Sequence, residues 1–206
     1  MVEGKARQLR ELVSARGQLQ SNRVALINTV RGYMKQEGVG LPEKFFQRSD
    51  WKSSLGEKSL GDTQKLILKS FMDGIDALER SEEEITGKMI EIRDGRCELL
   101  ETIPAIGKIA SRVLVGALDN ASRFDNKKCV ANYGGLAPTI YQSGDVTNLG
   151  RINRDGRHEV RKVLLQCAHT IQRMASHDAA PIREFLKGSR NGEVKSVPLL
   201  QQPGSF

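Results

Sequence analysis

Three groups of residues between positions 101 and 174 have the chemistry needed to handle a phosphodiester bond. A turn with Pro104 and Gly107 separates two helical patterns, and backbone amides at such a helix start can bind a phosphate. A serine stands beside glycine in Gln142-Ser143-Gly144. An arginine-rich segment then follows, with Arg151, Arg154, Arg157 and Arg161. A phosphate-binding turn, a nucleophilic hydroxyl and guanidinium groups are the parts that a DNA strand-transfer site needs.

Each group also has an ordinary structural interpretation. The turn is also compatible with a plain helix–turn–helix corner, and the arginines with a solvated helix start. Ser143 also fits a turn serine that bonds its own backbone. The nearest histidine, His158, lies beyond the arginine segment, so a Ser-His-Asp arrangement has no support.

Other candidate sites are weaker. Cys167, His169 and His177 do not have a zinc-ligand spacing. The Gly134-Gly135 pair does not follow a strand with a phosphate-loop lysine, so a nucleotide site is disfavoured. We therefore expect no metal ligands in this chain.

Composition favours a helical protein with an anionic partner. The chain has 206 residues, 38% of them hydrophobic and 5% aromatic, with a net charge of +7. Residues 1–56 have ten Lys/Arg against five Asp/Glu, residues 57–101 have seven against twelve, and residues 102–175 have eleven against five. A basic block beside an acidic one suggests a nucleic-acid-binding face and a spacer.

Localisation follows from what the sequence lacks. The cysteines are odd in number and not paired in spacing, so a disulfide framework is not expected. No signal-peptide pattern or membrane-length apolar run occurs. We therefore expect a cytoplasmic protein.

Two long heptad patterns precede the basic block. Residues 5–36 and 63–100 alternate apolar steps of three and four, which predicts coiled-coil helices joined by a connector over 37–62. Arg16, Arg23, Glu82 and Arg96 interrupt these seams and need charged partners or solvent. Antiparallel pairing within one chain and pairing between two chains both fit.

The remaining sequence predicts a small helical domain over 101–187. Helices are expected over 110–118, 124–133 and 158–174, with a short β hairpin or ordered loop over 136–152. Residues 188–206 are rich in Gly, Ser and Pro and are expected to form a flexible tail. The predicted fold is therefore mainly α, with a helix-hairpin-helix-like turn after the coiled coil.

Four motifs in this region, IPAIGKIAS, YGGLAP, QSG and GRINRDGRHEVRKVL, resemble in order and spacing the C-terminal domain of one transposase family. This is the insertion-sequence one-ten group, the bridge-RNA-guided transposases related to the pilin-gene invertase. The resemblance covers roughly 75 residues, and the coiled coil before it is similar in placement to that family's middle region.

The resemblance implies a DNA transposase or site-specific recombinase in which a serine attacks a DNA phosphate. It assigns Ser143 as the nucleophile. The DNA contacts it implies are Pro104, Gly107, Lys108, Gln142, Gly144, Arg151, Arg154 and Arg161.

The family context also implies partners. In the family an N-terminal RNase-H-like domain holds Mg²⁺ with four acidic residues, and no such domain is expected here. The resemblance therefore predicts the C-terminal portion of such an enzyme, with DNA, a guide (bridge) RNA and a homo-oligomer as partners and no membrane. Ala105 stands where the family usually has glycine, and Arg157 where a small polar residue is common.

Two functions remain open. One is the serine-bearing half of a transposase. The other is a non-catalytic DNA/RNA-binding and dimerisation module. A pure coiled-coil scaffold leaves the basic block unused.

Overall fold

The computed structural model describes residues 2–143, 146–152 and 156–190, and most of them are helical. The predicted mainly-α class is therefore confirmed. The chain divides into two compact units. We call Glu11–Glu91 the helical unit, and the start of the chain up to Arg10 together with the described residues from Ile92 onward the motif-bearing unit.

The helical unit contains most of α1 (Val2–Gln36), together with α2 (Trp51–Gly56) and α3 (Asp62–Glu91). A 3-10 turn over Phe45–Gln47 precedes α2. The apolar side chains that the heptad spacing places on one helix face pack together here. The buried members of this core are Val30, Met34, Phe45, Trp51, Leu55, Leu68 and Ile75.

Two arginines on the heptad face of α1 form polar contacts with side chains of α3. The Nε of Arg23 lies 2.7 Å from Glu82 Oε1, whose side chain is only 11% exposed. Arg16 Nε donates to Thr86 Oγ1 at 2.9 Å. Since the higher-numbered residue of α1 meets the lower-numbered residue of α3, the two helices run antiparallel.

The predicted helix over 63–100 is wrong beyond residue 91. α3 ends at Glu91, and a new helix, α4, spans Gly95–Glu101. The Asp94 carboxylate starts α4 by accepting from the Arg96 amide at 3.0 Å, and aspartate is among the preferred capping residues. Arg96 is therefore not a coiled-coil position, and its guanidinium pairs with Asp94 at 2.8 Å.

Helix α5 (Lys108–Leu118) is the most buried helix of the motif-bearing unit and packs against α4 and α7 (His158–Arg173). Two apolar clusters hold these helices. One contains Ile106, Leu114, Ala117, Val160 and Cys167, and the other Leu9, Cys97 and Val115. The backbone carbonyls in the last turn of a helix have no partner within that helix. In α5 the Gly116 carbonyl accepts a hydrogen bond from Arg10 Nε at 3.0 Å.

Two further helices complete this unit. α6 (Lys127–Tyr133) begins later than the predicted residue 124 because the Asn126 side chain caps it. α8 (Ala180–Arg190) occupies sequence that includes the start of the predicted tail. The rest of that tail, 191–206, lies outside the described residues.

Two strands, β1 (Pro138–Ser143) and β2 (Val146–Ile152), pair antiparallel in the segment where a β hairpin or ordered loop was predicted. Of the helices in the described part of the chain, none has the length and apolar character needed to cross a membrane.

Candidate nucleic-acid interface

The turn between α4 and α5 leaves its helix start open to an external acceptor. Gly107 is the N-cap residue of α5 and supplies no side-chain hydrogen bond to the first amides of that helix. It is exposed, and a Cβ at this position would meet nothing within 4 Å. Pro104 lies in the same turn, and Lys108 is exposed at the first position of α5. The amides, the open space and the lysine charge together suit an anion.

An ion pair between a buried arginine and a partly exposed glutamate fixes the shape of this turn. Glu101 at the end of α4 accepts from Ser111 Oγ at 2.8 Å and also pairs with the guanidinium of Arg112. Ser111 is fully buried and Arg112 is 6% exposed. The hydrogen bond from Ser111, helped by the charge of Arg112, lowers the pKa of Glu101. This clamp joins the last turn of α4 to the second turn of α5.

Ala105, within the same turn, has a left-handed backbone with φ of 68°. An L-residue with a Cβ is disfavoured in this region, where glycine is usual. Ala105 therefore occupies a position where glycine would be less strained.

A cleft of about 880 Å³ lies beside the turn. One side is formed by residues 101–107, and the other by Met174, Ser176, His177, Asp178 and Pro181. Gly107, the N-cap residue of α5, therefore borders a concave surface.

The β hairpin places Ser143 next to its tip. Ser143 pairs with Val146, and the next pairs are Gln142 with Thr147 and Tyr141 with Asn148. The side chains of Gln142, Ser143 and Arg151 lie outside the described residues, and so do Gly144 and Arg154 altogether.

The other end of the hairpin is irregular. Between the pairs Pro138–Ile152 and Ile140–Leu149 the register shifts, so Gly150 and Arg151 oppose Thr139 alone. Such a bulge bends a strand and changes the direction of its side chains. Arg151 lies five residues beyond Val146, which corresponds to roughly 16 Å along an extended strand.

Glycines of two separate motifs contact each other where the hairpin joins α7. A Cβ on Gly156 would lie 2.1 Å from the nitrogen of Gly135, and one on Gly134 would lie 3.2 Å from Val160 Cγ1. Arg161 on α7 donates to the Gly135 carbonyl at 3.1 Å. The two motifs are therefore one packing unit, and Arg161 has a structural contact in it.

The predicted site residues thus fall into three places. Pro104, Gly107 and Lys108 come together at the helix turn. The backbone of Ser143 lies at the hairpin tip, while Arg151 and Arg161 lie toward its opposite end.

Sequence reasoning did not single out Arg123 or Tyr133. The Cζ of Arg123 lies 4.7 Å from the centroid of the Tyr133 ring, and that of Arg157 lies 5.8 Å from it. These residues are 10 and 24 positions apart from Tyr133, so no local spacing points to the cluster.

Acidic residues of α3 are used in ion pairs with basic side chains. On α3, Asp76 and Glu79 both pair with Lys52, and Glu82 pairs with Arg23. In the described ranges, no three His, Cys, Asp or Glu side chains form a group able to hold a metal. The three cysteines, Cys97, Cys129 and Cys167, are free thiols.

Comparison with known proteins relates this arrangement to transposases. Residues 97–185, which include the turn, both strands and α7, match the family described as Transposase IS116/IS110/IS902 family. The transposase for insertion sequence element IS1111A of Coxiella burnetii is 22% identical over 184 residues, covering 84% of this chain and 50% of that protein.

Two further relatives extend the comparison. The putative transposase y4rJ of Sinorhizobium fredii is 29% identical over 209 residues, covering 90% of this chain and 52% of that protein. The pilin gene-inverting protein of Moraxella bovis is 39% identical over 74 residues, covering 35% of this chain and 23% of that protein. The matches span at most about half the length of these relatives, and they relate the chain to the IS110/IS116 transposases.

Proposed function

We propose that this chain supplies the serine-bearing part of a DNA transposase or site-specific recombinase, with Ser143 as the nucleophile. One observation carries most of the proposal. The family match over residues 97–185 includes the helix turn, the serine hairpin and the arginine segment in one continuous stretch. Relatives of the chain are named transposase or pilin gene-inverting protein.

The reaction is a transesterification at phosphorus. The Ser143 hydroxyl loses its proton to a base, its oxygen forms a bond to the phosphorus, and one phosphorus–deoxyribose oxygen bond breaks. The leaving oxygen takes up a proton and becomes a free hydroxyl, so the energy of the phosphodiester is kept in the protein–DNA bond. No electron is transferred, and the reverse step rejoins the strand.

Guanidinium groups suit the charge that develops on the phosphate. Arginine contacts two oxygens with its planar fork and stays protonated throughout. We propose this role for Arg151, Arg154 and Arg161, and backbone positioning for Gly107 and Lys108 at the helix turn. Phosphate contacts of this kind fix the DNA in place but do not read its sequence.

The proposed partners are DNA, a guide RNA and further copies of the chain. The roles proposed for these residues assign no magnesium ligand among them. A metal held by another domain, as the family resemblance implies, remains part of the proposal.

A second function is favoured by one specific observation. The strand register separates Ser143 from Arg151 by about five residues along the hairpin, and Arg161 contacts Gly135 at the far end. A non-catalytic nucleic-acid-binding module needs no convergence of serine and arginines. For the enzyme, bound DNA would have to draw these groups together.

A covalent adduct separates the two functions. The chain is mixed with a metal-binding half supplied in trans, guide RNA, Mg²⁺ and labelled DNA, then denatured and separated by mass. The enzyme predicts a protein–DNA adduct that Ser143→Ala abolishes and Thr147→Ala, a hydroxyl deletion in the neighbouring strand, retains. DNA binding without any adduct would favour the module.

Salt dependence tests the nucleic-acid assignment itself. Replacing one phosphate-contacting arginine by glutamine should lower the log–log salt slope by about one. A flat salt response of the unaltered chain would contradict both functions.

A further inference from the structure

Two arginines lie close to one tyrosine on the surface of the motif-bearing unit. Arg123 follows α5 in a short 3-10 turn, and Arg157 immediately precedes α7. Their Cζ atoms lie 4.7 and 5.8 Å from the centroid of the Tyr133 ring. Arg157 Nε also donates to the Tyr133 hydroxyl at 3.1 Å. We call Arg123 and Arg157 the Tyr133 arginine pair.

The positions of both guanidiniums are fixed by contacts that leave donors available. Arg123 lies over the Phe124 ring at 4.6 Å as well as over Tyr133, and those two rings pack with centroids 5.3 Å apart. Its Nη2 makes one long hydrogen bond, 3.4 Å, to the Ala117 carbonyl. Stacking uses the face of a guanidinium, so its remaining in-plane N–H groups can still donate.

Backbone contacts hold the second arginine and the tyrosine. The Arg157 amide donates to the Tyr133 carbonyl at 2.9 Å, and the Tyr133 hydroxyl donates to the Ala117 carbonyl at 3.1 Å. The pair therefore needs little ordering before it can bind a ligand, which lowers the entropic cost of binding.

The described carboxylates do not pair with either arginine of this pair. Within residues 2–143, 146–152 and 156–190, no Asp or Glu forms an ion pair with Arg123 or Arg157. Two other arginines of the same unit do have carboxylate partners: Arg96 pairs with Asp94, and Arg112 pairs with Glu101. Two like charges held against one ring favour an anion between or beside them.

We infer that Arg123 and Arg157 bind a backbone phosphodiester of a nucleic acid, at a place separate from the serine hairpin tip. The inference rests on the proposed function for the identity of the anion. Each guanidinium offers a fork of N–H donors to phosphate oxygens. The source is a DNA or an RNA strand, because both present the same group.

The tyrosine supports this assignment. Burial raises the pKa of Tyr133, but the neighbouring guanidiniums of Arg123 and Arg157 outweigh it, so its pKa lies below the ordinary value.

The test measures binding of fluorescent duplex DNA, and separately of single-stranded RNA, across a range of salt concentrations. We compare the unaltered chain with Arg123→Gln, Arg157→Gln and Arg173→Gln. Arg173 is an exposed arginine of α7 and controls for the loss of one positive charge. Each variant of the pair should bind about three- to tenfold more weakly and lose about one unit of log–log slope. The control should change far less.

The outcomes separate the two claims. If the unaltered chain binds with a steep salt slope but the pair variants match Arg173→Gln, this inference is wrong and the proposed function stands. If the unaltered chain binds neither nucleic acid, both are wrong. Weakening confined to one probe identifies DNA or RNA as the source.

A second measurement uses the unaltered protein and needs no variant to fold. An arginine-specific dicarbonyl reagent is applied with and without nucleic acid, and modified peptides are quantified by mass spectrometry. Protection of Arg123 and Arg157 by the nucleic acid supports the inference. Equal modification of both with and without it contradicts the inference.

Discussion

Gly156 packs against Gly135 so closely that a Cβ on Gly156 would lie 2.1 Å from the Gly135 nitrogen. The same Cβ would lie 2.8 Å from the Asn132 carbonyl oxygen, so backbone and not a flexible side chain occupies the space. The glycine of the arginine motif is thus required by packing, and it holds the start of α7 against the end of α6.

Gly156→Ala should therefore destabilise the motif-bearing unit by about 2–3 kcal/mol, because backbone has to move to admit the methyl group. Urea unfolding followed by circular dichroism measures the change. Exchange of the Arg157 amide, which donates to the Tyr133 carbonyl at 2.9 Å, measures it locally. An unchanged midpoint together with unchanged exchange would show that the contact is not needed.

Ala105→Gly should stabilise the chain by up to about 1 kcal/mol. The φ of 68° costs an alanine roughly 1–2 kcal/mol, while the greater flexibility of unfolded glycine and a half-buried methyl offset part of the gain. Thermal unfolding of the variant is compared with Ala110→Gly, which lies in the first turns of α5 and has ordinary helical geometry. That control should lose about 1 kcal/mol. If Ala105→Gly destabilised the chain as Ala110→Gly does, the backbone at Ala105 would not be strained.

The helix boundary between α3 and α4 shows what the sequence could and could not predict. The heptad pattern correctly indicated long helices, but it continued through residues 92–94, where the structure has no helix. The local signal for the break is Asp94, since aspartate is among the preferred residues at a helix N-cap. Heptad periodicity alone does not contain this signal, because the apolar spacing continues across residues 92–94.

Contacts between distant motifs could not be read from spacing. Gly135 and Gly156 are 21 positions apart, and only the fold shows that the backbone of Gly135 leaves no room for a side chain at position 156. Arg123, Tyr133 and Arg157 meet for the same reason. By contrast, the helix turn, the two strands and α7 follow from local turn residues and apolar periodicity, which is information that neighbouring residues carry.

Asp94 gives a pH-dependent prediction. Its hydrogen bond from Arg96 lowers the pKa of the folded carboxyl. The stabilisation is present above the ordinary aspartate pKa of about 3.9 and is lost as the pH falls through the lower folded value. At pH 7, Asp94→Ala should cost about 1–2 kcal/mol through loss of the cap and the ion pair, and Asp94→Asn should cost less because asparagine still caps.

Urea unfolding at a series of pH values checks this. The difference in free energy of unfolding between the unaltered chain and Asp94→Asn should be constant near neutrality and should shrink below about pH 4. If this difference grew on acidification, the pKa of Asp94 would be raised and not lowered by folding, and the carboxylate would not be stabilised in the folded state.

Gly107 allows the helix turn to be tested without disturbing the fold. A Cβ there meets nothing within 4 Å, and the backbone φ of −91° is open to alanine. Gly107→Ala should therefore leave the unfolding midpoint nearly unchanged. If a phosphate approaches the first amides of α5, the added methyl blocks that approach and DNA affinity falls by about tenfold or more.

The matched control is Gly87→Ala, a change at an exposed glycine of α3 that also has nothing within 4 Å. It should raise the free energy of unfolding by about 0.5–1 kcal/mol, because glycine is unfavourable inside a helix, and it should leave DNA binding unchanged. Because both variants add one methyl to open space, a loss of affinity in Gly107→Ala alone cannot come from packing within the chain. Equal affinity in the two variants would remove the helix turn from the interface and leave the arginines as its remaining candidates.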